Sequence, residues 1–447
     1  DLVINHTSDE HEWFQKSRDP RSEYRDYYIW RPGKKDRRPP NNWGSIFMED
    51  AWEYDPQSGE YYLHLFHRKQ PDLNYKNPRV LEEIKGILRF WLDKGVGGFR
   101  CDVINVIYKT SLEDGKPRIA VQGIERYLTQ EGNHAILREL RRDVFDAYDC
   151  FTVGETIMVD LGDAKLLCGG DRKELDMLFY FEHLEVDRRI AKYIPKKFKA
   201  PRLLRVLTKW QQGLEWNAVY LENHDQPRIV SHYGDDGAYW EQSAKLLATL
   251  ELTLRGTPFI YQGQEIGMTN FDFTDFDELD DVESHNMNRL LKRMGLPGWL
   301  RWKWIKESSR DNARTPVQWS SAPGAGFTTG KPWLGINGNY RRINYEAQRD
   351  DPNSVLNYYK KLIALRSASD TLKYGLFRPL PSKGNLMTYE RELEGERYTV
   401  VLNFSEKRAK ALFPGTVVIS NYGRTGQTGT LFPWEALVLK NQGGPTA

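Results

Sequence analysis

Three carboxylates stand at or just beyond the ends of three separate apolar runs in this 447-residue chain. Asp102 follows Gly97-Gly98-Phe99-Arg100-Cys101, Glu155 follows Phe151-Thr152-Val153-Gly154, and Asp225, preceded by His224, closes the run that starts at Ala218-Val219-Tyr220-Leu221. Short, fully apolar runs of this kind read as strands buried on both faces. Alternate strand side chains share a face, so Arg100 and Asp102 point one way and Cys101 the other. A guanidinium beside a carboxylate favours its ionised form, which an anionic nucleophile needs. An isolated Arg-x-Asp is most simply a structural ion pair at a strand end. Three carboxylates at matching ends of three strands ask for more. Two of them flanking a bond are the minimum for glycoside hydrolysis, one as nucleophile or base and one as acid. A third beside the sugar holds ring hydroxyls and steadies positive charge in the transition state.

The elements that must position these groups alternate. Asn77-Pro78 starts a helix whose apolar face is Val80, Ile84, Ile87, Leu88, Trp91 and Leu92, and Lys94-Gly95 ends it. Strands are expected after residues 1, 97, 151, 176, 217 and 258, with helices around 133–147, 203–211 and 239–254 and a last one capped by Asp351-Pro352, with Val355, Tyr359, Leu362 and Ile363 on its apolar face. Strands alternating with helices imply a parallel sheet, and polar outliers at strand C-terminal ends are where α/β barrels place their chemistry. Residues 9–75 read as a loop-rich segment, with the charged, proline-bearing stretch 31–40 inside it, and 267–350 as a second long insertion. Beyond residue 370 the period changes to alternation. Leu386–Arg391 and Tyr398–Phe404 bracket Glu394-Gly395 as a hairpin, and 411–413, 417–419 and 436–439 add strands.

Lys and Arg number 64 against 62 Asp and Glu, a net charge of +2 that gives no field for nucleic acid or an anionic membrane. No run approaches the ~18 apolar residues of a membrane span. Three scattered cysteines, none in a C-x-x-C pair, provide neither a disulfide framework nor a zinc site, and point to a reducing cytoplasm. Fourteen Trp and 24 Tyr suit sugar faces as well as cores.

Taken in order, Asp1-Leu2-Val3-Ile4-Asn5-His6, Gly98-Phe99-Arg100-Cys101-Asp102, Gly154-Glu155 and Glu222-Asn223-His224-Asp225 resemble the four signature regions of the α-amylase family of glycoside hydrolases. Gln70-Pro71-Asp72-Leu73-Asn74 and Asp311-Asn312-Ala313-Arg314-Thr315-Pro316-Val317-Gln318-Trp319 resemble motifs of its oligo-1,6-glucosidase branch. The resemblance implies a TIM (β/α)8 barrel with an inserted loop-rich subdomain and a C-terminal antiparallel β domain. On that plan residues 1–8 are barrel strand 3, 9–75 the inserted subdomain, 76–370 the rest of the barrel and 371–447 the β domain. The chain opens directly into a core strand, so the first two βα units, roughly 60 residues or more, are expected to be missing.

The resemblance also implies a retaining double displacement. Asp102 is then the nucleophile, and Glu155 the acid and base, its pKa expected to be raised by burial and negative neighbours. Asp225 and His224 are expected on the 2- and 3-hydroxyls, and His6 on the 6-hydroxyl. Arg100 would orient Asp102, and Arg314 would close the far end of the pocket. No metal and no cofactor is expected: Asn5, which resembles a calcium ligand of many amylases, reads better as a structural hydrogen-bonding residue, and Cys101 as packing.

Val103, immediately after the nucleophile, bears on linkage. In the resembling branch valine here accompanies α-1,6 bonds and threonine α-1,4 bonds. The expected activity is therefore exo-hydrolysis of isomaltose and short isomalto-oligosaccharides by a monomer. Trehalose-6-phosphate hydrolase has similar motifs and needs a cationic cluster, which the basic residues of 31–38 could supply. Sucrose isomerase is a weaker rival. A non-catalytic barrel subunit of a transporter is the alternative from another class.

Overall fold

The computed structural model describes residues 1–36, 38–118, 120–189, 193–426 and 429–441. Arg37 of the basic loop, and residues 427–428 and 442–447 of the expected β domain, lie outside the described residues. Two compact units divide the chain, Asp1–Phe181 and Glu182–Ala447.

In the first unit a parallel sheet runs Gly98–Cys101, Phe151–Glu155, Met177–Phe179. Leu2 joins its outer edge by a single parallel bridge to Cys101, with the Leu2 N–H donating to the Arg100 carbonyl at 2.7 Å. The expected first strand thus contracts to one bridging residue. Gly98 is dictated by close approach: a Cβ there would lie 2.2 Å from the Phe151 carbonyl oxygen.

Helix Pro78–Asp93 starts as read, with the Asn77 side chain accepting from the Arg79 N–H, and Gly95 beyond its end takes φ +87°. Its inward face is Val80, Leu81, Ile84, Leu88 and Leu92. Ile87 and Trp91 are exposed, because each lies one residue, about 100°, round the helix from Leu88 and Leu92.

Residues 9–75 are less irregular than expected. Trp30–Arg31, Glu60–Leu63 and Trp52–Asp55 form a three-stranded antiparallel sheet in that order. Its hairpin turns at Pro56-Gln57-Ser58-Gly59, with Gly59 at φ +74°. Trp43, Trp52, Leu63, Leu65 and Phe66 form a core there together with Val103, Val106, Ile124 and Tyr127.

In the second unit Ala218–Val219 and Thr257–Pro258 pair in parallel, both shorter than expected. Helices Ala200–Gly213 and Trp240–Thr253 stand beside them in sequence. The insertion 267–350 carries helices Val282–Arg293 and Gly298–Ser308 and the short turn Asp311–Arg314. Helix Val355–Ser367 is capped by Ser354, whose hydroxyl accepts from the Asn357 N–H, so Asp351-Pro352 sit in the turn before it. Tyr358, Tyr359 and Leu362 are buried, whereas Ile363, one residue further round, is exposed.

Leu376–Pro379, Leu386–Leu393, Glu396–Asn403, Ala436–Asn441 and Thr416–Ser420 make a five-stranded antiparallel sheet in that order. Glu394 and Gly395 at its hairpin both have positive φ, 49° and 84°, the two-residue turn whose twist matches the strands. The expected strand at 411–413 is displaced to Ala409–Lys410, which pairs with Thr430–Leu431.

Candidate active site

Asp102 and Glu155 are brought to one edge of one sheet by register alone. Cys101 pairs with Gly154 in the parallel ladder, so the next residue on each strand, Asp102 and Glu155, emerges side by side. Arg100 lies between them. Its Nη1 donates to Asp102 Oδ1 at 2.8 Å and to Asp1 Oδ2 at 3.1 Å, and its Nη2 donates to Glu155 Oε2. One guanidinium therefore binds both carboxylates and keeps them close. Glu155 is buried, as expected, and its direct ion-pair partner is Arg100, which also holds the neighbouring Asp102 carboxylate. Arg100 thus touches the expected acid as well as the expected nucleophile. Cys101, on the opposite face, is buried, and burial pushes its thiol up to about 12, so it packs and does not react at neutral pH.

Val103 occupies the left-handed region, φ 38° and ψ 42°. That conformation is strained for a β-branched side chain. It is held by burial: Val103 is 5% exposed and lies in the cluster with Trp43, Leu63 and Ile124.

His6 is buried against Phe66, ring centroids 5.4 Å apart. Burial pushes its imidazole below 6.5, against the opposing pull of the Asp72 and Asp102 carboxylates. Gln70 Nε2 lies 2.9 Å from His6 Nε2, and His67 N–H donates to Gln70 Oε1, so the amide presents its NH2 group to a neutral ring. The segment carrying Asn5 and His6 is pinned by the Gln70–Asn74 motif. Leu73 N–H donates to the Asn5 carbonyl at 2.9 Å and Thr7 N–H to the Pro71 carbonyl at 3.2 Å. Asn5 does serve as a hydrogen-bonding residue, its Oδ1 accepting from Lys109 Nζ at 2.9 Å. Among the described residues no group of three His, Cys, Asp or Glu side chains is arranged to hold a metal ion.

In the second unit Asp225 is gripped by two arginines. Arg314 Nη2 donates to Asp225 Oδ1 at 2.6 Å and Arg310 Nη1 to the same oxygen at 3.3 Å. Arg314 Nε also reaches the His224 carbonyl at 3.0 Å, and His224 Nε2 lies 3.3 Å from Asp225 Oδ2. The motif 311–319 thus sends its arginine to the strand-end motif 222–225. Arg310 was not singled out from sequence. It stands four residues before Arg314, a spacing that puts two side chains on one side of a helical turn. It also donates to Asp281 from Nε at 2.9 Å, and the Asp281, Glu283 and Asp225 carboxylates raise its pKa against desolvation. Behind the motif, fully buried Arg228 ties Glu222 at 3.0 Å to the carbonyls of Gln262, 2.7 Å, and Ala313, 3.3 Å.

Comparison with known proteins gives this arrangement its context. Residues 1–375 match the α-amylase catalytic domain. An oligo-1,6-glucosidase of Parageobacillus thermoglucosidasius is 46% identical, over 98% of this chain and 82% of that protein. A trehalose-6-phosphate hydrolase of Bacillus subtilis strain 168 is 42% identical, over 98% of this chain and 81% of its own. The crystal structure of isomaltulose synthase PalI from Klebsiella sp. LX3 superposes with a TM-score of 0.94 at 41% identity, covering 98% of this chain and 82% of that one. With similarity of this depth across nearly its whole length, and with the TIM-barrel fold and C-terminal antiparallel sheet of these relatives, the chain belongs to the α-amylase family of glycoside hydrolases.

Proposed function

We propose that the chain is a retaining, exo-acting α-glucosidase that cleaves α-1,6 bonds at the non-reducing ends of isomaltose and short isomalto-oligosaccharides. The observation that carries the reading is the single guanidinium of Arg100 bound to both Asp102 and Glu155 at the ends of adjacent parallel strands. Retention needs the two carboxyl groups close together, about 5–5.5 Å, which leaves no room for a water between the nucleophile and the anomeric carbon.

In the proposed cycle Asp102 attacks the anomeric carbon as Glu155 gives its proton to the departing oxygen. The glycosidic bond breaks and a covalent glucosyl ester forms. Glu155, now a carboxylate, takes a proton from water, the water oxygen bonds to the anomeric carbon, and Asp102 leaves. Arg100 keeps Asp102 aligned through its 2.8 Å hydrogen bond, and substrate entry must free Glu155 from it. His6 is assigned to the 6-hydroxyl, and Asp225 with His224 to the 2- and 3-hydroxyls. Arg314 is assigned to the far end of the glucose site. With this reading go the division into an inserted subdomain, 9–75, barrel segments, 1–8 and 76–370, and a β domain, 371–447, and a monomeric state. The three free cysteines suit a cytoplasmic location. No helix among the described residues is long and apolar enough to cross a membrane.

Val103 supports the choice of bond. Its side chain offers no hydroxyl, and it is fixed by the hydrophobic core immediately after the proposed nucleophile. Val103→Thr is expected to move the isomaltose-to-maltose ratio of kcat/KM toward maltose by about tenfold, the scale of one altered pocket contact. An unchanged ratio would sink the linkage assignment.

Hydrolysis of trehalose 6-phosphate is the second reading, favoured by the 42%-identical relative of that name. It requires cations free to bind phosphate. In the basic loop Lys34 faces Asp114 at 3.6 Å and Arg38 pairs with Asp36, so these two cations already have carboxylate partners. Turnover of isomaltose, trehalose 6-phosphate and sucrose by one preparation separates the readings.

A further inference from the structure

Lys109 is a buried lysine that the mechanism above does not use. It is 4% exposed, seven residues beyond Asp102 at the end of the apolar stretch Val103–Tyr108. Its ammonium lies 2.6 Å from Asp72 Oδ2 and donates to Asn5 Oδ1 at 2.9 Å and, more weakly, to the Ile107 carbonyl at 3.4 Å. Asp72 is itself fully buried and spends its other oxygen on the Leu65 N–H at 2.9 Å.

Three segments converge on that ammonium: the N-terminal segment that carries Asn5 and His6, the loop after the nucleophile strand, and the Gln70–Asn74 motif. His6 sits directly between the tied positions. It follows Asn5 in sequence and bridges Asp72 across the antiparallel pairing. Tyr75 closes the same joint by donating its hydroxyl to the Ile4 carbonyl at 2.6 Å. Burial lowers the Lys109 pKa, while Asp72 opposes the shift. A buried ion pair of this kind contributes little net stability relative to a well-packed apolar pair, and fixing geometry is its better-attested use.

We propose that Lys109 is a positioning residue for His6: by tying Asn5 to Asp72 it sets where the imidazole stands relative to Asp102. The proposal rests on the reading of His6 as a glucose-binding residue and goes beyond it, because Lys109 itself touches no substrate.

The test is a cycle on the full chain, with 4-nitrophenyl α-glucoside as the probe. The first variant is the neutral pair Lys109→Met with Asp72→Asn, which removes both charges together and keeps an acceptor for the Leu65 N–H. It is made alone and in a His6→Ala background, with thermal melting of each. The neutral pair is expected to melt cooperatively and to lose about 10- to 100-fold in kcat/KM, the cost of a misplacement of about 1 Å. In the His6→Ala background the same pair is expected to cost less than about twofold further, since no imidazole is left to misplace. A second pair, Lys109→Gln with Asp72→Asn, restores a donor to Asn5 and is expected to recover most of the loss. Full, multiplicative losses in the His6→Ala background, no loss from the neutral pair, or no recovery with glutamine overturns the assignment of Lys109. A silent His6→Ala variant overturns the reading of His6 beneath it, and is recognised separately.

Discussion

Asp102→Asn is expected to lower kcat on 4-nitrophenyl α-glucoside by at least about 10⁴-fold, the scale on which loss of a nucleophile leaves only binding and electrostatic stabilisation. The carboxamide is isosteric, and its oxygen still accepts the Arg100 Nη1 hydrogen bond made at 2.8 Å, so the strand end keeps its geometry. What is lost is the anion: an amide does not form the glucosyl ester. The melting temperature is therefore expected to change little while turnover collapses. Activity within tenfold of the parent would remove Asp102 from the nucleophile's role.

Glu155→Gln carries the second large effect, and its size depends on the leaving group. General acid catalysis contributes about 10²–10⁴-fold. Loss of kcat/KM on isomaltose, whose departing alkoxide needs a proton, is expected across that range. The nitrophenolate of 4-nitrophenyl α-glucoside departs without one, so kcat/KM for that substrate is expected to fall by less than about tenfold, while kcat falls further because the ester then hydrolyses slowly. Azide, which needs no general base, is expected to restore kcat. The substitution also leaves Arg100 facing a neutral amide in place of a carboxylate, so Asp102 becomes its main charged partner among the contacts at this strand end. Equal losses on both substrates would contradict the assignment of Glu155 as acid and base.

The strand ends were legible because burial on both faces leaves an unbroken apolar run, and a carboxylate at its close has no packing reason to be there. The hairpin at Glu394-Gly395 was legible for a similar reason, since alternation on both sides leaves a two-residue gap for a left-handed turn. The caps of helix Pro78–Asp93 are encoded locally, whereas the width of its inward face is not. Ile87 and Trp91 are apolar and exposed, and periodicity alone does not say how broad a stripe the sheet covers. The aromatic sheet of 30–63 was missed because its strands are only two to four residues long, although Tyr54 and Tyr61 face each other across a recognisable Pro-Gln-Ser-Gly turn.

Among the site residues, Arg100 was legible through its spacing to Asp102, whereas its second bond, to Glu155, depends on a register between strands fifty residues apart in sequence. Lys109 gave no local signal, for a lysine after an apolar run reads as a solvated end. Its role comes from Asp72 and Asn5, which only tertiary packing brings to it. Arg310 was hidden by the long insertion, whose path to Asp225 no local pattern encodes.

The central claim is that Asp102 forms a covalent bond to the sugar, and trapping that species tests it most directly. Incubation with 5-fluoro-α-glucosyl fluoride, followed by proteolysis and mass spectrometry, is predicted to find one fluoroglucosyl unit on the peptide containing Asp102, with time-dependent loss of activity. Turnover of the reagent with no adduct, or an adduct on a different carboxylate, would contradict the account.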